Sequence, residues 1–209
     1  LARCRVLAQR ARRAGARLYA RTPMVRLEGT CVVTSRGMVR ARRVIVAVDG
    51  HLEKLLPELA GRVRTARLQM LATAPTTEKI IGGPRYYREG FEYWQQTPDG
   101  CITIGGFRDK AGESEWSHDA KPTPPVQDML EHFLRDSLRV SAPITHRWAA
   151  CAAYSGNGLP VLEQVREGVY AIGAYSGTGN VIGALCGRAV VSWAVDGDAS
   201  QVEALVGRP

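Results

Sequence analysis

Apolar residues along this chain follow two periods, and the switch between them predicts its elements. Leu1, Cys4, Leu7, Ala8, Ala11 and Ala14 recur at helical spacing with arginines between them, and Gly15 supplies a stop. The spacing therefore predicts a helix over 1–14. Val126, Met129, Leu130, Phe133, Leu134 and Leu138 form a second helical stripe over 125–138, with Pro125 in the first turn, where a missing N–H costs nothing. A third helix is predicted from about 179 to 195. Strand-like stretches are shorter: ARLYA (16–20), two strands joined at Arg36-Gly37 within 31–48, and RLQMLATAP (67–75). The fully apolar run 44–48 is broken by Asp49-Gly50. Two antiparallel strands are predicted within 84–106, joined at Pro98-Asp99-Gly100, and a strand followed by a turn within 145–161. A last strand covers 169–175. Segment 51–59 reads as short helical or extended, and 110–125 as a polar loop. The pattern predicts an α+β class in which strands of the first and last regions share a sheet and the middle region is inserted.

Composition narrows the function classes. The chain has 209 residues, 45% of them hydrophobic, enough for a real core. No apolar run approaches the roughly 20 residues of a membrane span. No signal peptide is visible, and the chain starts at Leu1. Five cysteines, Cys4, Cys31, Cys101, Cys151 and Cys186, are widely separated with no CxxC pair, which argues against a zinc site or a disulfide framework and for a cytoplasmic location. His51, His118, His132 and His146 are scattered, so no metal site is expected. The net charge of +8 is concentrated in the first 26 residues, which hold eight arginines and no acid. A nucleic-acid-binding arm is one reading of that charge. The solvated face of a helix is the other, favoured because no aromatic residues interleave with the arginines for base stacking.

Chemistry is suggested by GVYAIGAYSGTGNVIGALCGRAVVSW (168–193), an apolar strand, a glycine-rich turn and a small-residue helix. Gly177 and Gly179 permit unusual backbone angles and close approach of a ligand. The first amides of the following helix are free and partly positive, suited to a phosphate or to a carbonyl that gains negative charge. A tight turn with no ligand is the alternative from this motif alone.

Four segments in this order resemble the family of FAD-dependent amine and amino-acid oxidoreductases that includes glycine oxidase, sarcosine oxidase, D-amino-acid oxidase and γ-glutamylputrescine oxidase-like enzymes. GARLYARTPMVRLEG (15–29) resembles the strand whose valine backs the adenine of FAD. RARRVIVAVDGH (40–51) resembles the strand ending in a turn beside FAD. THRWAACAAYSGNGLPVL (145–162) and GVYAIGAYSGTGNVIGALCGR (168–188) resemble the family's "RW-G…T-D-LP-IG" segment and its C-terminal flavin loop. The resemblance implies a partial FAD-binding, Rossmann-like domain lacking its N-terminal βαβ unit, with an inserted antiparallel-sheet substrate domain. The implied division is 1–60 for part of the FAD-binding domain, 61–165 for the substrate domain and 166–209 for the return. Such a chain corresponds to the C-terminal half or somewhat more of a family member, and the missing N-terminal segment, as part of the same protein or as a separate chain, becomes an expected partner.

The resemblance also implies the site. FAD is the expected cofactor, touched by Val25, Ala47, Gly50, Gly173, Tyr175, Ser176, Gly177, Thr178, Gly179 and Asn180. One face of the middle sheet is expected to cover the flavin and line the substrate cavity, with Tyr93, Trp94 and Trp148 as a candidate amine-binding wall, although strand alternation puts Tyr93 and Trp94 on opposite faces. No catalytic triad is visible, and hydride transfer from a neutral amine to flavin needs none. The sequence departs from the family at Ala149-Ala150, Asn157 and Val48-Asp49, and it has no arginine at Ala152 or Ser176, where amino-acid oxidases often hold the substrate carboxylate. The implied substrate is a small amine, or an amino acid whose acid is held elsewhere. The implied activity, oxidation of a C–N bond by hydride transfer, belongs to the full-length protein. A truncated remnant without cofactor and a basic nucleic-acid-binding protein are the alternatives.

Overall fold

A computed structural model describes residues 2–78 and 82–207. The chain divides into two compact units, Leu1–Val44 and Ile45–Pro209. The first holds helix α1 (Ala2–Arg13) and an antiparallel meander of β1 (Met24–Glu28), β2 (Cys31–Thr34) and β3 (Gly37–Arg40). Arg10, Arg12 and Arg13 occupy the last turn of α1, where the helix dipole favours cations. Gly15, at φ 93°, ends it by donating to the Arg12 carbonyl at 3.0 Å. Residues 16–20, expected as a strand, join no ladder, and the first strand forms instead just after Pro23. Their alternation is real, but a strand needs a paired neighbour, and β2 pairs with 24–28.

The second unit contains two sheets. The larger has the order β6-β7-β8-β5-β9, built from β5 (Val63–Thr73), β6 (Arg85–Tyr87), β7 (Glu92–Gln96), β8 (Ile102–Gly106) and β9 (Ile144–Ser155), with every adjacent pair antiparallel. The predicted hairpin at 98–100 is present, and β6 is an additional short edge strand. Helix α4 (Pro124–His132), continued by one wider turn over Phe133–Ser137, covers one face of this sheet. Leu71, Ile102, Ile104, Val126, Leu130 and Leu134 are fully or almost fully buried between them.

The segment expected as a polar loop is tied down. It begins with the short helix α3 (Arg108–Ala111) and a 3-10 turn, Gly112–Glu115. Glu115, 1% exposed, accepts hydrogen bonds from Arg67 Nη2 at 2.7 Å and Gln69 Nε2 at 2.8 Å. Gln69 also donates to Thr123 Oγ1 at 2.7 Å, and its own Oε1 accepts from the Thr123 amide at 2.8 Å. Arg67 and Gln69 point inward from β5, and buried polar groups of that kind require partners, so the loop is folded onto them.

The smaller sheet has the order β10-β11-β4: β10 (Val161–Arg166), β11 (Val169–Gly173) and β4 (Val44–Val46), whose last two residues belong to this unit. Against it lie α5 (Gly179–Asp196) and α6 (Ser200–Val206), with Tyr170, Ile172, Cys186, Ala189, Val190, Ala194 and Val202 buried between the layers. A short α2 (Leu52–Leu55) and a 3-10 turn (Pro57–Leu59) link β4 to β5. Strand β10 and helix α6 escaped the sequence reading because VLEQVR alternates imperfectly and α6 is only two turns long. Among the described residues, no helix is long and apolar enough to cross a membrane, and no His, Cys, Asp and Glu cluster is arranged to hold a metal.

Replacing Glu115 by alanine leaves the Arg67 guanidinium buried without its carboxylate. We expect a loss of about 3–5 kcal/mol in urea unfolding, with the apolar pair Arg67→Met/Glu115→Leu recovering most of it.

Candidate functional site

The apolar run of β4 continues through Ala47 and Val48 to Asp49, where it meets two distant segments. The Asp49 carboxylate accepts the Ala153 amide at 3.0 Å through one oxygen and the Tyr175 amide at 3.1 Å through the other. The Ser176 amide donates to the Ala153 carbonyl at 3.2 Å, and Tyr154 and Tyr175 form an antiparallel bridge. Two glycines permit this crowding. A Cβ on Gly50 would stand 2.7 Å from the Cys151 carbonyl oxygen, and one on Gly173 would stand 2.4 Å from the Val48 carbonyl oxygen. The residue after Gly50, His51, donates its amide to Thr65 Oγ1 at 2.8 Å, which fixes the turn to β5.

From this junction the chain makes a left-handed loop into α5. Ala174, Ser176 and Gly177 have φ of 51°, 50° and 91°. The Thr178 amide closes the turn on the Tyr175 carbonyl at 2.9 Å. The Tyr175 ring lies under the first turn of α5, where a Cβ on Gly179 would meet it at 2.8 Å. Burial pushes the Tyr175 phenol up to about 12. Gly177 faces open space, and Thr178 and Asn180 are exposed beside it. The amides of Gly177 and Gly179 have no acceptor among the described residues, so a row of partly positive N–H groups ends the loop. Of the expected cofactor-binding residues, Gly50, Gly173, Tyr175, Ser176, Gly177, Thr178, Gly179 and Asn180 thus gather at or next to one junction. Ala47 is exposed at the end of β4, and Val25 lies in the first unit, exposed on β1.

Sheet register sorts the aromatic candidates. Tyr93, Gly105, Met70 and Trp148 are direct cross-strand neighbours on β7, β8, β5 and β9 and share one face. The next row, Trp94, Ile104, Leu71 and Arg147, points the other way. That second face is the one α4 covers: Trp94 packs edge-on to Phe133 at 5.2 Å, and Arg147 bonds Gln127 and Glu131. The expected wall of Tyr93, Trp94 and Trp148 is therefore corrected. Trp94 belongs to the core with α4, because adjacent strand residues cannot share a face. The opposite face is open, with Trp148 37% exposed and the alanines at 150 and 152 following it along β9 to Tyr154.

Two groups on this side went unremarked in the sequence reading. Tyr154 lies six residues beyond Trp148 on the same face of β9, a period that could have been read. Arg108 opens α3, and its guanidinium lies 4.5 Å from the centre of the Tyr154 ring. Burial pushes Tyr93 up to about 12, with the Arg108 charge opposing it. Tyr154 is likewise raised by burial and opposed by Arg108. Both phenols hold their protons at neutral pH.

Comparison with known proteins places this geometry in a family. Residues 1–193 match the model of the DAO family, described as FAD dependent oxidoreductase. The chain belongs to that family. It is 28% identical over 196 residues to a probable oxidoreductase, OrdL, of Rhizobium meliloti (strain 1021), covering 87% of this chain and 43% of that protein. Its fold is similar to L-proline dehydrogenase from P. horikoshii, with a TM-score of 0.72, 19% identity, and coverage of 94% of this chain and 55% of that one. It is also similar to glycine oxidase from Geobacillus kaustophilus, with a TM-score of 0.73, 17% identity, and coverage of 92% and 52%. The chain thus spans about half the length of the relatives it matches. The family's description makes FAD its cofactor.

Replacing Asp49 by alanine removes the acceptor shared by two part-buried amides. The expected cost is about 1–3 kcal/mol in urea unfolding, and hydrogen exchange at Ala153 and Tyr175 should accelerate more than at the β5–β8 ladder.

Proposed function

We propose that this chain supplies the flavin-ring and substrate side of an FAD-dependent oxidoreductase that oxidises the C–N bond of a small amine or amino acid. The observation that carries the reading is the junction at Asp49, from which the loop presents the Gly177 and Gly179 amides, which have no acceptor among the described residues, with open space beside Gly177. Those amides suit an electron-rich carbonyl that becomes more negative on reduction, the kind of donor set that stabilises developing charge. When bound, FAD would accept the hydride released by C–N oxidation. Gly50, Gly173, Tyr175, Ser176, Gly177, Thr178, Gly179 and Asn180 would hold or shape its ring end, with Ala47 beside the turn and Val25 backing the adenine. Tyr93 and Trp148 would line the substrate side from the open face of the sheet.

In this reading residues 1–60 and 166–209 are pieces of a Rossmann-like FAD-binding domain, and 61–165 is an inserted substrate domain. A preceding βαβ segment, on the same polypeptide or a separate chain, would supply the pyrophosphate contacts. Val181, Leu185, Val191 and Val195, all exposed on α5, support a further segment packing there. A cytoplasmic location belongs to the same proposal and is consistent with five free cysteines.

The test is flavin content, read from the visible spectrum and from fluorescence quenching during FAD titration of the complete protein. Gly177→Val fills the open space over the loop and strains a left-handed residue. Gly179→Val drives into the Tyr175 ring. Both should abolish FAD incorporation. Gly187→Ala, whose Cβ meets nothing within 4 Å, should retain it. Normal flavin content in both valine variants would sink the reading.

A further inference from the structure

Two histidines far apart in the sequence meet beside the turn that follows Asp49. The rings of His51 and His118 lie 5.0 Å apart, centre to centre, and are tilted by 39°. His51 ends the turn in a left-handed conformation, φ 71°. His118 belongs to segment 116–119, between the 3-10 turn Gly112–Glu115 and α4. Glu53, in the first turn of α2, ties the two together. His118 donates from Nε2 to Glu53 Oε1 at 3.0 Å. A carboxylate only accepts, so that nitrogen carries a proton and Nδ1 is left to take a second. Glu53 also accepts the Thr65 amide at 2.8 Å and the Thr65 hydroxyl at 2.9 Å. Thr65 Oγ1 in turn accepts the His51 amide at 2.8 Å.

The same segment closes over β9. Cys151 Sγ lies 3.7 Å from the Ser117 carbonyl oxygen. The backbone and Cβ of Cys151 fill the space that a side chain on Gly50 would need. Segment, strand and turn are packed in series, and the turn carries the Asp49 carboxylate that holds the entry to the glycine loop.

Burial holds the His51 imidazole below its ordinary value, the charges of His118 and Lys54 add to that, and Glu53 opposes it. Burial pushes the Glu53 carboxyl up, but the hydrogen bonds from its own amide, Thr65 and His118 outweigh it and hold the group below its ordinary value. The other charged groups nearby are Asp119 on the segment and Arg67 on β5. Both act on the Cys151 thiol, and Arg67 is already bound to Glu115. The sign is the same at His51 and Glu53: the closed arrangement binds fewer protons than an open one, so acid favours opening. The penalty on closure begins at His51 as the pH falls below about 6.5, and at Glu53 below about 4.3.

We propose that His51, His118 and Glu53 form an acid-released latch, which keeps segment 116–119 closed over the turn after Asp49 at neutral pH and lets it open in mildly acidic solution. Two charged imidazoles this close share one carboxylate and repel each other, and opening separates them. The functional consequence rests on the reading of the 176–180 loop as flavin-binding: opening frees the turn that carries Asp49, so bound flavin is released over the same pH range.

The test uses the complete protein, with Cys151 as reporter because the segment covers it. Its reaction with 4,4′-dithiodipyridine is read by peptide mass spectrometry and divided by that of Cys4, which is exposed, so that the common loss of thiolate in acid cancels. Flavin absorbance is recorded on the same samples. In the unaltered protein the ratio should rise severalfold between about pH 7.5 and about pH 5.5, the range in which imidazoles titrate, and flavin release should follow the same course. His118→Gln keeps a donor for Glu53 but cannot charge, and should flatten both curves. His51→Asn suits the left-handed position, removes the other imidazole, should do the same, and decides the matter if the glutamine variant does not fold. A flat ratio in the unaltered protein, or an equal rise in both variants, overturns the latch. Opening that leaves flavin in place overturns its link to the loop. Opening that depends on the imidazoles in a protein that takes up no FAD at any pH would uphold the latch and overturn the flavin reading. Flavin uptake with a flat ratio would do the reverse.

Discussion

The Asp49 carboxylate accepts two backbone amides, and they come from positions 104 and 126 residues further along the chain. One belongs to the long edge strand of the larger sheet and the other to the start of the glycine loop. A carboxylate has the lone pairs to serve both, and a charged acceptor makes stronger bonds than a carbonyl would. The end of β4, the end of β9 and the entry to α5 are thereby held at one point. Gly50 and Gly173 are required there because any side chain would displace neighbouring backbone. Loop geometry and sheet geometry are coupled through this one residue.

The larger sheet is built to be covered on one face and open on the other. Trp94, Ile104 and Leu71 form a row against α4, and in the row beside it, Tyr93, Gly105, Met70 and Trp148, the Trp148 side chain is exposed. Antiparallel sheets tolerate such asymmetry because alternation separates the two faces cleanly. Here that face carries Tyr93 and Trp148 beside Gly105, Ala150 and Ala152.

Charge is distributed with the same economy. Glu115 gathers Arg67 and Gln69 at the base of the sheet, Glu92 and Asp109 gather Arg88, and Glu113 takes Arg64, which also lies 4.2 Å from the Trp116 ring centre. Against this background of matched pairs Arg108 stands out by chemistry and not by charge alone. A basic chain has many arginines, and most of those in the first 26 residues are exposed on α1 and the segment after it. The number of arginines said little about function. The partner of each one said much more.

Period and turn chemistry alone determined the helices at 2–13, 124–132 and 179–196, the hairpins at 36–37 and 98–100, and the glycine loop, because each depends on contacts between near neighbours. The family was legible too, since its signals are short segments in a fixed order. The strand expected at 16–20 failed for the complementary reason: a strand is completed by its partner, and ARLYA has none. The polar segment 110–125 read as a solvated loop because nothing local announces that Glu115 will be buried under Arg67 and Gln69, more than forty positions earlier. Alternation separated Tyr93 from Trp94, but only the packing of α4 decided which of the two faces would be closed. Tertiary structure alone also brought Asp49 to Ala153 and Tyr175, and left Arg108 among rings without an acid. Pairing across a sheet and matching of buried charge are long-range constraints, and a linear pattern does not contain them.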